Sequence, residues 1–84
     1  MKRVLVIDGQ GGRLGRQLVK DIAERWPQCE LMAVGTNSIA AENMLKAGAA
    51  RAATGENAAI VACRRADVII GPIGMVIADS LYGE

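Results

Sequence analysis

Val4-Leu5-Val6-Ile7-Asp8-Gly9-Gln10-Gly11-Gly12-Arg13-Leu14-Gly15 decides the fold of this chain: an apolar run enters a glycine-rich turn, and the turn opens into a helical pattern. Because Val4 to Ile7 are continuously apolar rather than alternating, the run predicts a strand over Arg3 to Ile7 buried on both faces. Four glycines fall within the seven positions from Gly9 to Gly15. That density suits a backbone that turns tightly, admits a charged ligand closely and then packs a helix against a strand with no Cβ between. A helix N-terminus adds unpaired N–H groups and the positive end of the helix dipole. The spacing reads as G-x-x-G-x-x-G through Gly9, Gly12 and Gly15, or as G-x-G-x-x-x-G through Gly9, Gly11 and Gly15. Both are variants of the dinucleotide-binding fingerprint, and neither is the strict G-x-G-x-x-G.

Outward from this turn the hydrophobic period keeps switching, which predicts βα units on a parallel sheet. A first helix is expected over Gly12 to Arg25, with Leu14, Leu18, Val19, Ile22 and Ala23 inward and Trp26-Pro27 ending it. Glu30 to Gly35 reads as the second strand. Asn37 or Ser38 can cap a second helix whose Ala40, Ala41, Met44 and Leu45 face inward until Gly48. Ala50 to Ala53 is the weakest strand signal, followed by a helix over Glu56 to Arg65 with Ala59, Ile60 and Cys63 inward, and a strand over Asp67 to Ile70. After Gly71-Pro72-Ile73-Gly74 a last helix is expected, its proline suited to a first turn. Ile73, Met75, Val76, Ile77, Ala78 and Leu81 would wrap around more of that helix than one sheet-facing stripe needs, which predicts a homo-oligomer, dimer or higher, or else a poorly soluble edge. The expected architecture is an α/β, Rossmann-like, three-layer open parallel sheet of about four strands with flanking helices, in one domain over residues 1–84.

Composition narrows the function classes. Half the residues are hydrophobic (51%), with no Phe, one Trp and one Tyr, so the core is aliphatic. Ten Lys and Arg against nine Asp and Glu give a net charge of +1, with no basic run or aromatic platform for nucleic acid. No signal segment and no apolar run of spanning length is present, so a cytoplasmic protein with no membrane role is expected. Cys29 and Cys63 lie far apart and outside any C-x-x-C spacing, and read as buried thiols. The absence of His removes the commonest general base and metal ligand. Asp8, Glu56 and Asp79 are isolated carboxylates, so no metal site is assigned. Tyr82 has no lysine four positions on, so no catalytic set is identified.

Four turns, Asp8 to Gly12, Gly35-Thr36-Asn37, Thr54 to Asn57 and Gly71 to Gly74, fall where a strand is expected to hand over to a helix. In an open parallel sheet those ends line the crevice where ligands bind. The plainer account of each later turn is that such loops favour Gly, Asn and Thr for caps, and for Asn37 the cap is the favoured reading. The candidate binding residues are therefore Gly9, Gln10, Gly11, Gly12, Arg13, Leu14, Gly15, Gly35, Thr36, Asn37 and Gly71. The ligand expected is a phosphate-bearing small molecule, a nucleotide or dinucleotide such as NAD or NADP. Replacing Gly12 by a bulky residue is expected to abolish binding while sparing the fold. Gly35, Thr36 and Asn37 stand where a dinucleotide site usually carries a ribose-binding carboxylate. Asp8 would repel a pyrophosphate unless its role is to accept N–H groups of the turn. No G-K-[ST] ending follows, which argues against a nucleoside triphosphatase. The alternative is a structural or oligomerisation module with no cofactor, its glycine turn serving only as a turn.

The ordered segments VIDGQGGRLG (6–15), AVGTNSIA (33–40), MLKAGA (44–49), ATGEN (53–57) and DVIIGPIG (67–74) resemble those of a bacterial Rossmann-like family carried as a domain of unknown function. The resemblance implies the fold and brings no established activity. It also implies that relatives continue past the position of Gly83-Glu84 with another helix and strand. A chain ending here is then expected to lack the C-terminal part of the family's domain, with an uncovered edge favouring self-association.

Overall fold

The computed structural model describes residues 2–9 and 11–71, together with the backbone of 74–77. Arg3–Asp8 (β1), Glu30–Gly35 (β2), Arg51–Thr54 (β3), Val68–Gly71 (β4) and Gly74–Ile77 (β5) form one sheet in the order β3-β2-β1-β4-β5. The first four strands are parallel, and β5 runs antiparallel to β4 with Gly71 opposite Gly74 and Val68 opposite Ile77. Three helices connect the parallel strands: Arg13–Arg25 (α1), Ser38–Ala47 (α2) and Glu56–Arg65 (α3).

The two-sided burial expected of the first strand is what builds the three layers. Val4 and Val6 turn to one face and pack with Val19 and Ile22 of α1, Met44 of α2, and Leu31 and Ala33 of β2. Leu5 turns to the other face with Met32, Val34 and Ile69, where Ala59, Ala62 and Cys63 of α3 cover it. Leu5, Val6, Val19 and Met44 are fully buried, each contributing about 1.5–3 kcal/mol through removal from water.

Local chemistry ends the elements where the sequence indicated. Trp26 N–H closes α1 on the carbonyl of Ile22 (2.8 Å), and Pro27 cannot continue the helix. Gly48, at φ 129°, ends α2.

Several expectations are corrected. The residues assigned to the start of a last helix are β5 in 74–77, so the turn from Gly71 to Gly74 joins two antiparallel strands rather than a strand and a helix. The two-faced helix behind the oligomer expectation is therefore absent over 74–77, and the rest of it, with Ile73, Ala78 and Leu81, lies outside the described residues. Leu14, Leu45 and Ile60, assigned to inward stripes, are each about half exposed. Leu14 and Ile60 sit on the solvent side of helices whose inward work is done by Val19 and Ile22 in α1 and by Ala59, Ala62 and Cys63 in α3. Both cysteines are free and half-buried rather than fully enclosed.

Candidate functional site

At the C-terminal end of β1 the chain turns through Asp8 and Gly9 to Gly12, which is the N-cap of α1 in the left-handed region (φ 71°, ψ 22°). The turn is closed by Gly12 N–H donating to the Gly9 carbonyl (2.8 Å), and α1 begins with Arg16 N–H donating to the Gly12 carbonyl (2.8 Å). Asp8 is buried, and its carboxylate accepts from Gly9 N–H (2.8 Å) and from Gly15 N–H (2.5 Å). It thus caps α1 from the preceding strand, the role that reconciles a carboxylate with this position. Asn43 of α2 donates through Nδ2 to the Gly11 carbonyl (2.7 Å) and fixes that peptide plane. Among the described residues no hydrogen bond is assigned to the N–H groups of Arg13 and Leu14, at the first two helical positions.

Those two residues, with Asp8, Gly9, Gly11 and Gly12, line a cleft of about 220 Å³. Arg13 and Leu14 are exposed at its mouth. Such a volume suits a phosphate group with part of its ester, and is smaller than the roughly 300–1,000 Å³ of sites that enclose a whole small molecule.

The glycines of the turn divide by what a side chain would meet. At Gly12 an added Cβ would stand 2.7 Å from Ala40 Cα, where α1 crosses α2. At Gly15 it would stand 2.6 Å from Met44 Sδ and 2.7 Å from Asp8 Cβ, so this residue serves close packing of helix on strand. At Gly9 it would meet Thr36 Oγ1 at 2.7 Å, and at Gly35 the Ala41 nitrogen at 2.5 Å. Gly11 differs. The nearest atom to its added Cβ is Arg13 Cγ at 3.8 Å, an ordinary contact, and its φ lies outside the left-handed region. Gly12 thus carries the left-handed turn, Gly9 and Gly15 serve close packing, and Gly11 alone of the four faces no close neighbour. The expectation that Gly12 can be enlarged without harm to the fold is overturned by the Ala40 backbone lying against it.

The remaining candidates are placed around this turn to different degrees. Thr36 N–H donates to the Asp8 carbonyl (2.9 Å), which sets the end of β2 beside the turn, and the Thr36 side chain is exposed there. Asn37 is the N-cap of α2, its Oδ1 accepting from Ala40 N–H (2.8 Å), in line with the cap reading. Gly71 ends β4 on the other side of β1, near the Ile7 carbonyl, and does not line the cleft. Thr54 to Asn57 lie beyond Gly35 at the β3 edge, again outside it. Gln10 lies outside the described residues. Asn43 was not singled out by sequence reasoning; its signal was an amide in the interior of a helix, where it gains nothing locally and has reason to bond elsewhere. Among the described residues no group of three His, Cys, Asp or Glu side chains is placed to hold a metal ion, and no helix is long and apolar enough to cross a membrane.

An open, mainly parallel sheet between helices, with a glycine turn leading from the first strand into the first helix, defines a small Rossmann-like α/β domain. Over residues 3–84 the chain matches the family model described as "Domain of unknown function (DUF3842)", and it belongs to that family. No curated protein and no solved structure matches it.

Proposed function

We infer that the β1–α1 turn binds the phosphate of a nucleotide or dinucleotide, with NAD and NADP as the reference ligands. The observation that carries this reading is Gly11: packing gives no reason for its missing side chain, and it borders a cleft that Arg13 and Leu14, the first two residues of α1, also line. A phosphate seated there would accept from the first turn of α1, gain from the helix dipole and lie within reach of the Arg13 guanidinium. The rest of the ligand would extend over Thr36, whose hydroxyl can serve a ribose in place of the usual carboxylate. No chemical step is assigned to the site, because among the described residues no general base or nucleophile lines it beside the already engaged Asp8.

A second reading, a structural or oligomerisation module with no cofactor, is favoured by a different observation. Internal packing accounts by itself for Gly9, Gly12, Gly15 and Gly35. The exposed apolar side chains of Trp26, Ile39, Leu45, Ile60 and Val61 offer surface for self-association.

Thermal shifts with NAD, NADP, ADP, AMP and inorganic phosphate separate the two. A ligand at a hundred times its Kd adds about 2.7 kcal/mol to the stability of the state that binds it. The binding reading expects a rise in Tm with at least one of these that Gly11→Val removes; no rise at millimolar ligand leaves the structural reading.

A further inference from the structure

The opposite end of the sheet carries a second polar cleft, formed where β1, β2 and β3 begin and α3 ends. Arg3, Glu30, Met32, Arg51 and Arg65 line about 190 Å³. Register explains the convergence. Arg3 pairs with Glu30 and Met32 with Arg51, so all four side chains leave the sheet on the face that α3 covers, and Arg65 closes the cleft from the last turn of α3. Glu30 is ion-paired to both neighbours, at 3.3 Å from Arg3 Nε and 3.6 Å from Arg51 Nη2. Asp67 lies outside the lining, its carboxylate accepting the backbone N–H of Arg3 at 2.8 Å and keeping its negative charge beside that residue.

We propose that this cleft is a binding site for a small polyvalent oxyanion, a phosphate ester or a di- or tricarboxylate. One carboxylate cannot neutralise three guanidinium groups, and the lining carries two net positive charges. Glu30 takes a single nitrogen from each of Arg3 and Arg51, leaving their remaining N–H groups as donors. Guanidinium forks held in this way present paired donors that match phosphate and carboxylate oxygens. Buried Met32 forms the floor, and the Arg3 and Arg51 side chains stand above it 54% and 68% exposed, open to a ligand from solvent. The ordinary account of Arg65, a cation answering the helix dipole, applies equally to Arg64; Arg65 is the one that borders the cleft. This site is independent of the phosphate site, lying at the other end of β1 on the order of 17 Å away.

A comparison groove sits elsewhere on the same molecule. Arg16, Lys20 and Lys46 line a space between α1 and α2, with no ion-pair partner among the described residues and no carboxylate to organise them. Backbone amide NMR titration of the full chain with inorganic phosphate and with citrate, at constant ionic strength, tests the proposal. The expected result is saturable shifts at Arg3, Glu30, Arg51 and Arg65 with at least one anion, the stronger anion showing whether phosphate or carboxylate is preferred. The double variant Arg51→Gln/Arg65→Gln should weaken that binding about tenfold or more while lowering the unfolding midpoint only slightly, since an exposed ion pair and an exposed cation at a helix end each contribute little to stability. Any of three results overturns it: no saturation up to tens of millimolar of either anion, equal shifts in the Arg16–Lys20–Lys46 groove, or unchanged affinity in the double variant. Shifts confined to Gly11–Gly15 would report the phosphate site and count against this one.

Discussion

Two adjacent glycines should respond oppositely to the same methyl group. At Gly12 an alanine would hold a left-handed conformation, costing about 1–2 kcal/mol, and would drive its Cβ to 2.7 Å from Ala40 Cα. Because the obstacle is backbone of a packed helix, relief requires α1 and α2 to separate, an overpacking cost of about 1–3 kcal/mol. Gly12→Ala should therefore lose about 2–5 kcal/mol, a large share of the roughly 4–13 kcal/mol expected of a chain this size. At Gly11 the Cβ meets only an ordinary contact, Arg13 Cγ at 3.8 Å, and Gly11→Ala should leave stability unchanged or raise it by up to about 1 kcal/mol through the unfolded state. Urea unfolding followed by the fluorescence of Trp26, the chain's single tryptophan, measures both. Thermal unfolding should repeat the contrast, Gly12→Ala losing roughly 10 °C or more. Ligand binding should reverse the order of harm: Gly11→Ala sets a methyl group in the cleft and should weaken phosphate binding about tenfold. Equal destabilisation by the two substitutions, or Gly12→Ala within about 0.5 kcal/mol of the parent, would refute the geometry on which the site rests.

Three further outcomes follow from the anchoring of the turn. Asp8→Ala leaves the N–H groups of Gly9 and Gly15 without their acceptor and should cost about 1–3 kcal/mol in urea unfolding, with Asp8→Asn retaining part of it. Asn37→Ala removes the α2 cap on Ala40 N–H and should cost about 1 kcal/mol by the same assay, without altering hydrogen exchange in α3. Asn43→Ala frees the Gly11 carbonyl and should cost about 1 kcal/mol; faster exchange of the Gly12 amide would report the loosened turn.

Three strands and three helices were legible because their signals were strong and local, and the weak third strand because it lies between two such helices. The run Val4 to Ile7, the capped start at Asn37 and the stops at Pro27 and Gly48 place elements within a residue or so of their observed bounds. What was misread was short and apolar. Gly74 to Ile77 is a run of four that periodicity cannot assign to helix or strand, and Pro72 after Gly71 suited a helix start as well as a turn. The β-branched pair Val76-Ile77 was the available hint, but strand formation there depends on the edge offered by β4, which only tertiary structure supplies. At the site, the cap by Asp8 was readable because a carboxylate before a phosphate-type turn needs another partner. The division between Gly11 and Gly12 was not, since it depends on where Ala40 of a separate helix comes to lie.

Hydrogen bonds within the protein fix several groups of the turn. Gly12 N–H is spent on Gly9, Gly15 N–H on Asp8, and the Gly11 carbonyl on Asn43, so the peptide planes are set before any ligand arrives. Binding then requires little ordering of the loop, which favours affinity. Against this, Asp8 stands in the wall of the cleft, and its negative charge opposes an anion more strongly the closer it is seated. The two N–H donations Asp8 receives and the positive end of α1 offset that repulsion near Gly15, whereas Arg13 and Leu14 are exposed to solvent. On the proposed reading an anion would be best held at the mouth, between Gly11 and the Arg13 guanidinium, rather than deep against β1. Arg13→Gln should then raise the Kd for phosphate several-fold and flatten its salt dependence, while leaving the unfolding midpoint where it was. A phosphate affinity indifferent to both Arg13→Gln and Gly11→Ala would place the anion somewhere other than this turn.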